Sequence, residues 1–101
     1  MAQYGLATHF SLPLRIAKVE SGFAAMVVEV CRQTDVSSGE PGERFIFGLR
    51  GKLGVRVGDE TFTVEPGEAA CFDAMLENSF FPVERVDKEH VAPCALVILM
   101  T

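Results

Sequence analysis

Histidine occurs only twice in the 101 residues, as His9 and His90. So few imidazoles restrict both metal coordination and general acid–base work near neutral pH. Cysteine is scarce as well. Cys31, Cys71 and Cys94 are odd in number, widely spaced and form no CxxC pair, which excludes a disulfide framework and a structural zinc site and leaves them as reduced thiols. Positive charge is in deficit, with 9 basic against 14 acidic residues and a formal charge of −5. A phosphate-backbone binder needs a clustered positive surface, so nucleic acid is not an expected partner. No apolar run reaches bilayer-spanning length, and no membrane association is expected. The opening MAQYGLATHF has neither the basic n-region nor the apolar h-region of a secretory signal, so the expected compartment is the cytoplasm.

What is present is an ordinary globular composition, 49% hydrophobic and 23% charged, in a length that suits one domain over residues 1–101. No repeat, low-complexity tract or linker divides it. Short apolar runs alternate with turn formers. SLPLRIAKV and FAAMVVEVC precede the loop Ser37-Ser38-Gly39-Glu40-Pro41-Gly42. ERFIFGL, KLGVRV and ETFTV follow, with hairpin turns expected at Arg50-Gly51 and Gly58-Asp59. Pro66-Gly67 leads into EAACFDA, and SFFPVERV and APCALVILM complete about eight strands. The one helix-compatible piece, near Asp73 to Asn78, is too short to matter. The pattern predicts an all-β antiparallel sandwich or barrel.

In ERFIFGLR the strand period sets Arg44, Ile46 and Gly48 on one face and Phe45, Phe47 and Leu49 on the other. The stretch ERFIFGLRGKLGVRVGDETFTVEPGEAACFDA, beginning at Glu43, resembles the double motif of the cupin superfamily, and CALVILMT resembles its last strand. The likeness is nearest to small single-domain cupins and to the C-terminal cupin modules of bacterial helix-turn-helix regulators. It implies a small antiparallel jelly-roll barrel of about eight strands, often a homodimer, with a pocket inside. Most cupins hold a divalent metal there. The resemblance places the motif's glutamate at Arg44, its loop histidines at Ser38 and Glu40 or at Ser37 and Gly39, its later histidine at Asn78 and a later Asn position near Pro82. Every ligand position is substituted, and a guanidinium would repel a cation. No metal and no cofactor are expected.

The same alignment turns Arg44 into the barrel, where a charge needs a partner. An internal ion pair with Glu29 or Glu40 is one reading. A clamp on a small carboxylate or phosphate is another, and a side chain reaching solvent is a third. Asn78, Ile46 and Cys71 join Arg44, Glu40 and Glu29 as candidate pocket residues. Asn78 also suits a plain turn, and Cys71 a buried small hydrophobe with no base beside it in sequence. Asp73 reads as a turn carboxylate, and Arg50, Lys52 and Arg56 as a solvated outer strip. Phe45, Phe47 and Leu49 form an apolar face suited to a second copy of the chain. Three functions remain in play. A non-catalytic cupin that binds or senses a small acid leads. A degenerate cupin kept as a dimeric interaction module comes next. A metal-free isomerase or lyase, which would need His9 or His90 at the pocket, comes last.

Overall fold

A computed structural model describes the backbone of residues 2–3, 9–13 and 23–100, and the side chains of 24–100. These residues form nine strands: β1 Ala2–Gln3, β2 His9–Pro13, β3 Phe23–Val30, β4 Glu43–Arg50, β5 Leu53–Val57, β6 Glu60–Val64, β7 Ala69–Asp73, β8 Asn78–Pro82 and β9 Cys94–Met100. Among the described residues there is no helix, and so none long and apolar enough to cross a membrane. All pairings are antiparallel. One sheet has the order β1-β2-β3-β9-β4-β7 and the other β6-β5-β8. The fold is a small jelly roll, as expected. Of the run SLPLRIAKV, the part beyond Pro13 lies outside the described residues.

Alternation assigns the faces. In β5, Leu53, Val55 and Val57 are buried, while Arg56 is exposed. In β4, Ile46 is completely buried and Phe45 and Phe47 are only partly covered. The inward residues of both sheets meet in one core, built from Val28, Val30, Ile46, Val55, Phe80 and Val97 among others.

Two turns behave differently. Gly58-Asp59 closes a true β5–β6 hairpin, with Gly58 at φ +56°, where a side chain would be strained. The hairpin expected at Arg50-Gly51 is not one. β4 pairs with β9 and β7, whereas β5 pairs with β6 and β8. The chain turns a corner from one sheet to the other there. A register shift between Gly48 and Arg50 bends the strand out, and Gly51, at φ +70°, lies against Pro93.

Candidate functional site

At one end of the barrel a cavity of about 290 Å³ lies between the two sheets. Its floor is apolar, formed by Ala24, Met26 and Val28 of β3, Val97 and Leu99 of β9, and Phe80 of β8. Strand period puts these side chains on the inner faces, continuous with the core below. Its wall is polar and comes from the loop between β3 and β4 (Thr34, Asp35, Ser37 and Glu40), from Arg44 and from Asn78.

Backbone hydrogen bonds to β8 hold that loop in place. Thr34 N donates to Phe80 O at 2.8 Å, and Ser37 and Asn78 exchange both of their N–H···O bonds at 2.9 and 2.8 Å. Phe80 N in turn donates to Thr34 Oγ1 at 2.9 Å. The loop therefore acts as a further, short strand along the small sheet, and its side chains reach the barrel mouth.

Arg44 organises the wall. Its Nη2 donates to Glu40 Oε1 at 2.7 Å and its Nη1 to Asn78 Oδ1 at 3.0 Å. Ser37 Oγ donates to the same Glu40 oxygen at 3.2 Å. Asn78 is almost wholly buried and spends its amide protons on Ser37 O at 3.1 Å and Leu76 O at 2.9 Å. Its oxygen is thereby fixed toward the arginine. Two of the five guanidinium N–H donors are engaged. Nε is buried without an acceptor among the described residues, and the side chain keeps 15% exposure. Charge-assisted bonds of this kind fix the plane of the guanidinium against the wall.

The structure brings together Arg44, Glu40 and Asn78 and separates the other candidates from them. Ile46 faces inward but belongs to the core beneath and does not line the cavity. Glu29 is not a pocket residue and does not pair with Arg44. Val28 and Val30 point inward, so Glu29 points outward, where Arg50 Nη2 meets it at 2.9 Å. Cys71 is not on the cavity wall either. It stands beside Phe45 on the outer face, exposed, with its thiol 3.5 Å from Glu43 Oε2. Desolvation, and then the Glu43 carboxylate, push its pKa up, so it is a poor nucleophile. Burial also raises the Cys94 thiol, against a lowering by nearby Arg50. His90 lies with Glu84 and Asp87 in the loop before β9, away from the cavity lining. The side chain of His9 lies outside the described residues. Asp73 is a turn carboxylate, its Oδ1 accepting from Met75 N at 2.9 Å. Sequence reasoning missed Thr34, Asp35 and the apolar floor. Ser37 entered only as an aligned ligand position.

A divalent cation does not fit this wall. Among the described residues no three His, Cys, Asp or Glu side chains converge on a point. The carboxylate best placed to bind one, Glu40, already holds a guanidinium.

No protein-family model and no curated protein matches the sequence. Solved structures do match. The cupin-2 domain of an XRE-family transcriptional regulator from Enterobacter cloacae superposes with a TM-score of 0.77 at 10% identity, over 93% of this chain and 97% of that one. The cupin domain of Cnp3 from Schizosaccharomyces pombe gives 0.75 at 20% identity, over 97% of this chain and 64% of that one. Iron(II) HppE gives 0.76 at 16%, over 98% and 54% respectively. At such identities the shared property is the architecture. Strand content, two-sheet closure and these superpositions agree that the chain has the cupin fold.

Proposed function

We propose that this chain is a single-domain, cytoplasmic cupin that binds a small molecule in the mouth of its barrel, with neither metal nor chemical turnover involved. The observation that supports this is the open cavity of about 290 Å³ whose wall carries an arginine with an unused N–H on each of its two Nη nitrogens. A concave, mostly apolar site with a few fixed polar groups is the usual form of a small-molecule pocket. A barrel packed solid would have favoured a pure interaction module. The donor set disfavours a metal, and among the described residues the lining carries no imidazole. The free state of Cys31, Cys71 and Cys94 suits a reducing compartment.

The test is thermal shift with panels of carboxylates, amides, amines, amino acids and phosphates on the wild type and Arg44→Met. A ligand at about a hundred times its Kd adds about 2.7 kcal/mol. Stabilisation of the wild type that is lost in Arg44→Met supports the reading. Stabilisation of both alike, or of neither by any panel, overturns it.

A second proposal concerns the outer face of the large sheet, which we infer to be a homodimer surface. Register places Phe45 beside Ile98 and Phe47 beside Leu96, and next to them Ala25 and Val27 of β3. Phe45 and Phe47 are only partly covered and Leu49 is 44% exposed. An apolar strip of this kind spanning three strands favours a self-complementary contact. Sedimentation should give a dimer for the wild type and a monomer for Phe45→Glu. A monomeric wild type at high micromolar concentration refutes it.

A further inference from the structure

Taking the cavity as a ligand site, the charges of its wall narrow what can enter. The neutral polar side chains there already hold partners in the wall. Asn78 is spent on Ser37 O, Leu76 O and Arg44. Thr34 Oγ1 accepts from Phe80 N, and Ser37 Oγ donates to Glu40. What remains is of two kinds. The guanidinium keeps one unused N–H on each Nη nitrogen, besides the buried Nε. The carboxylates keep unused acceptors, namely Glu40 Oε2, which takes no hydrogen bond among the described residues, and Asp35, which lines the same cavity. One cation thus stands among two carboxylates.

A bare anion is poorly served by such a wall. It would have to share Arg44 with Glu40, whose oxygen already lies 2.7 Å from the guanidinium, and the two negative charges on one cation would repel each other. A bare cation would meet Arg44. A molecule with both an anionic acceptor and an adjacent cationic donor satisfies both kinds of group at once. Its remaining atoms would lie on Met26, Val28, Phe80, Val97 and Leu99. We infer that the ligand is a small zwitterion with an apolar body, an α-amino acid or a close relative. Its carboxylate meets the unused Nη N–H groups of Arg44 and its ammonium meets Glu40 and Asp35. This departs from the small acid or phosphate that Arg44 alone suggests, because Glu40 already neutralises the arginine.

The experiment compares amino acids with their halves by calorimetry. L-leucine, 4-methylpentanoate and 3-methylbutylamine share an apolar body and differ only in charge, and the other apolar amino acids are tested in the same way. The amino acid that binds should do so about tenfold or more tighter than either half. Asp35→Asn, which leaves the Arg44 bonds untouched, and Glu40→Gln should each weaken it and strengthen the carboxylate half. A carboxylate half that binds as tightly as its amino acid overturns the zwitterion and leaves the pocket reading standing. If no amino acid binds at millimolar concentration the zwitterion is also overturned. The wider panels on Arg44→Met then decide separately whether the cavity takes any small molecule.

Discussion

Asn78→Ala is expected to destabilise the protein more than Arg44→Met, although arginine carries the charge. Asn78 is 3% exposed and makes three side-chain hydrogen bonds, to Ser37 O, Leu76 O and Arg44 Nη1. The two neutral bonds contribute about 0.5–1.5 kcal/mol each and the charge-assisted one about 1.5–3 kcal/mol. Water entering from the neighbouring cavity recovers part of this, which sets the loss at about 2–4 kcal/mol. Arg44→Met breaks the same charge-assisted bond and the pair with Glu40. That carboxylate is 38% exposed, so solvent screening limits the pair to about 0–1 kcal/mol. Removing the unpartnered buried Nε returns about 1–3 kcal/mol, so the net cost is about 0–2 kcal/mol. Urea denaturation followed by circular dichroism measures both, and about 4–8 °C of Tm per kcal/mol is expected at this size. The double variant should show a coupling of about 1–2 kcal/mol. An Arg44→Met loss exceeding that of Asn78→Ala, or a coupling near zero, would refute the bond-by-bond reasoning.

Three further outcomes are expected. Gly48→Ala should cost about 1–3 kcal/mol, because its Cβ would fall on the Glu65 carbonyl while Gly48 N is bonded to Glu68 O and Gly48 O to Gly67 N, both at 2.9 Å; a thermal melt unchanged from wild type contradicts this. Cys71, exposed yet held above the ordinary thiol range, should alkylate more slowly than a free thiol at pH 8, and Glu43→Gln should speed it by up to about threefold as the thiolate fraction rises. Asp87 should titrate below the usual aspartate range by NMR, because the backbone N–H groups of Glu89 and then His90 bond its carboxylate. A lowered folded value means the contribution is present above the unfolded pKa and fades as pH falls through the folded one, so the loop should loosen only in strong acid. Asp87→Asn should remove that acid-dependent step.

The strand period made β4 legible in the sequence. Arg44 and Ile46 turn inward and Phe45, Phe47 and Leu49 outward, as alternation requires. Glu40 was legible too, four residues before Arg44 on the connecting loop. Glu29 was misassigned because VVEVC is apolar nearly throughout and hides its face. Counting from Val28 and Val30 would have sent Glu29 outward to Arg50. Cys71 failed for the same reason, since Ala69 and Ala70 are small enough for either side. The Arg50-Gly51 turn was visible, but its destination was not, because β5 takes its second partner from β8, more than twenty residues further on. Thr34 and Asp35 sit in a loop without periodicity. Their place is set by bonds to Phe80 and Asn78 that no local pattern announces.

The arginine itself helps explain why the barrel mouth stays open. Ile46, Val28 and Val97 form the core directly beneath it, and an apolar side chain at position 44 could extend that core upward into the cavity. Arg44 is instead drawn sideways, with one nitrogen held by Glu40 and another by Asn78. Bound at both Nη atoms, the guanidinium cannot fold across the floor formed by Met26, Phe80 and Leu99. Stability alone does not call for this arrangement, since exchanging a buried ion pair for packed hydrophobic residues is often neutral or favourable. Nor does the pair exhaust its own hydrogen-bonding capacity. Each Nη keeps a second N–H, and Glu40 Oε2 takes no donor among the described residues. Groups left unspent beside an apolar cavity are what recognition of a small molecule with matching polar atoms requires.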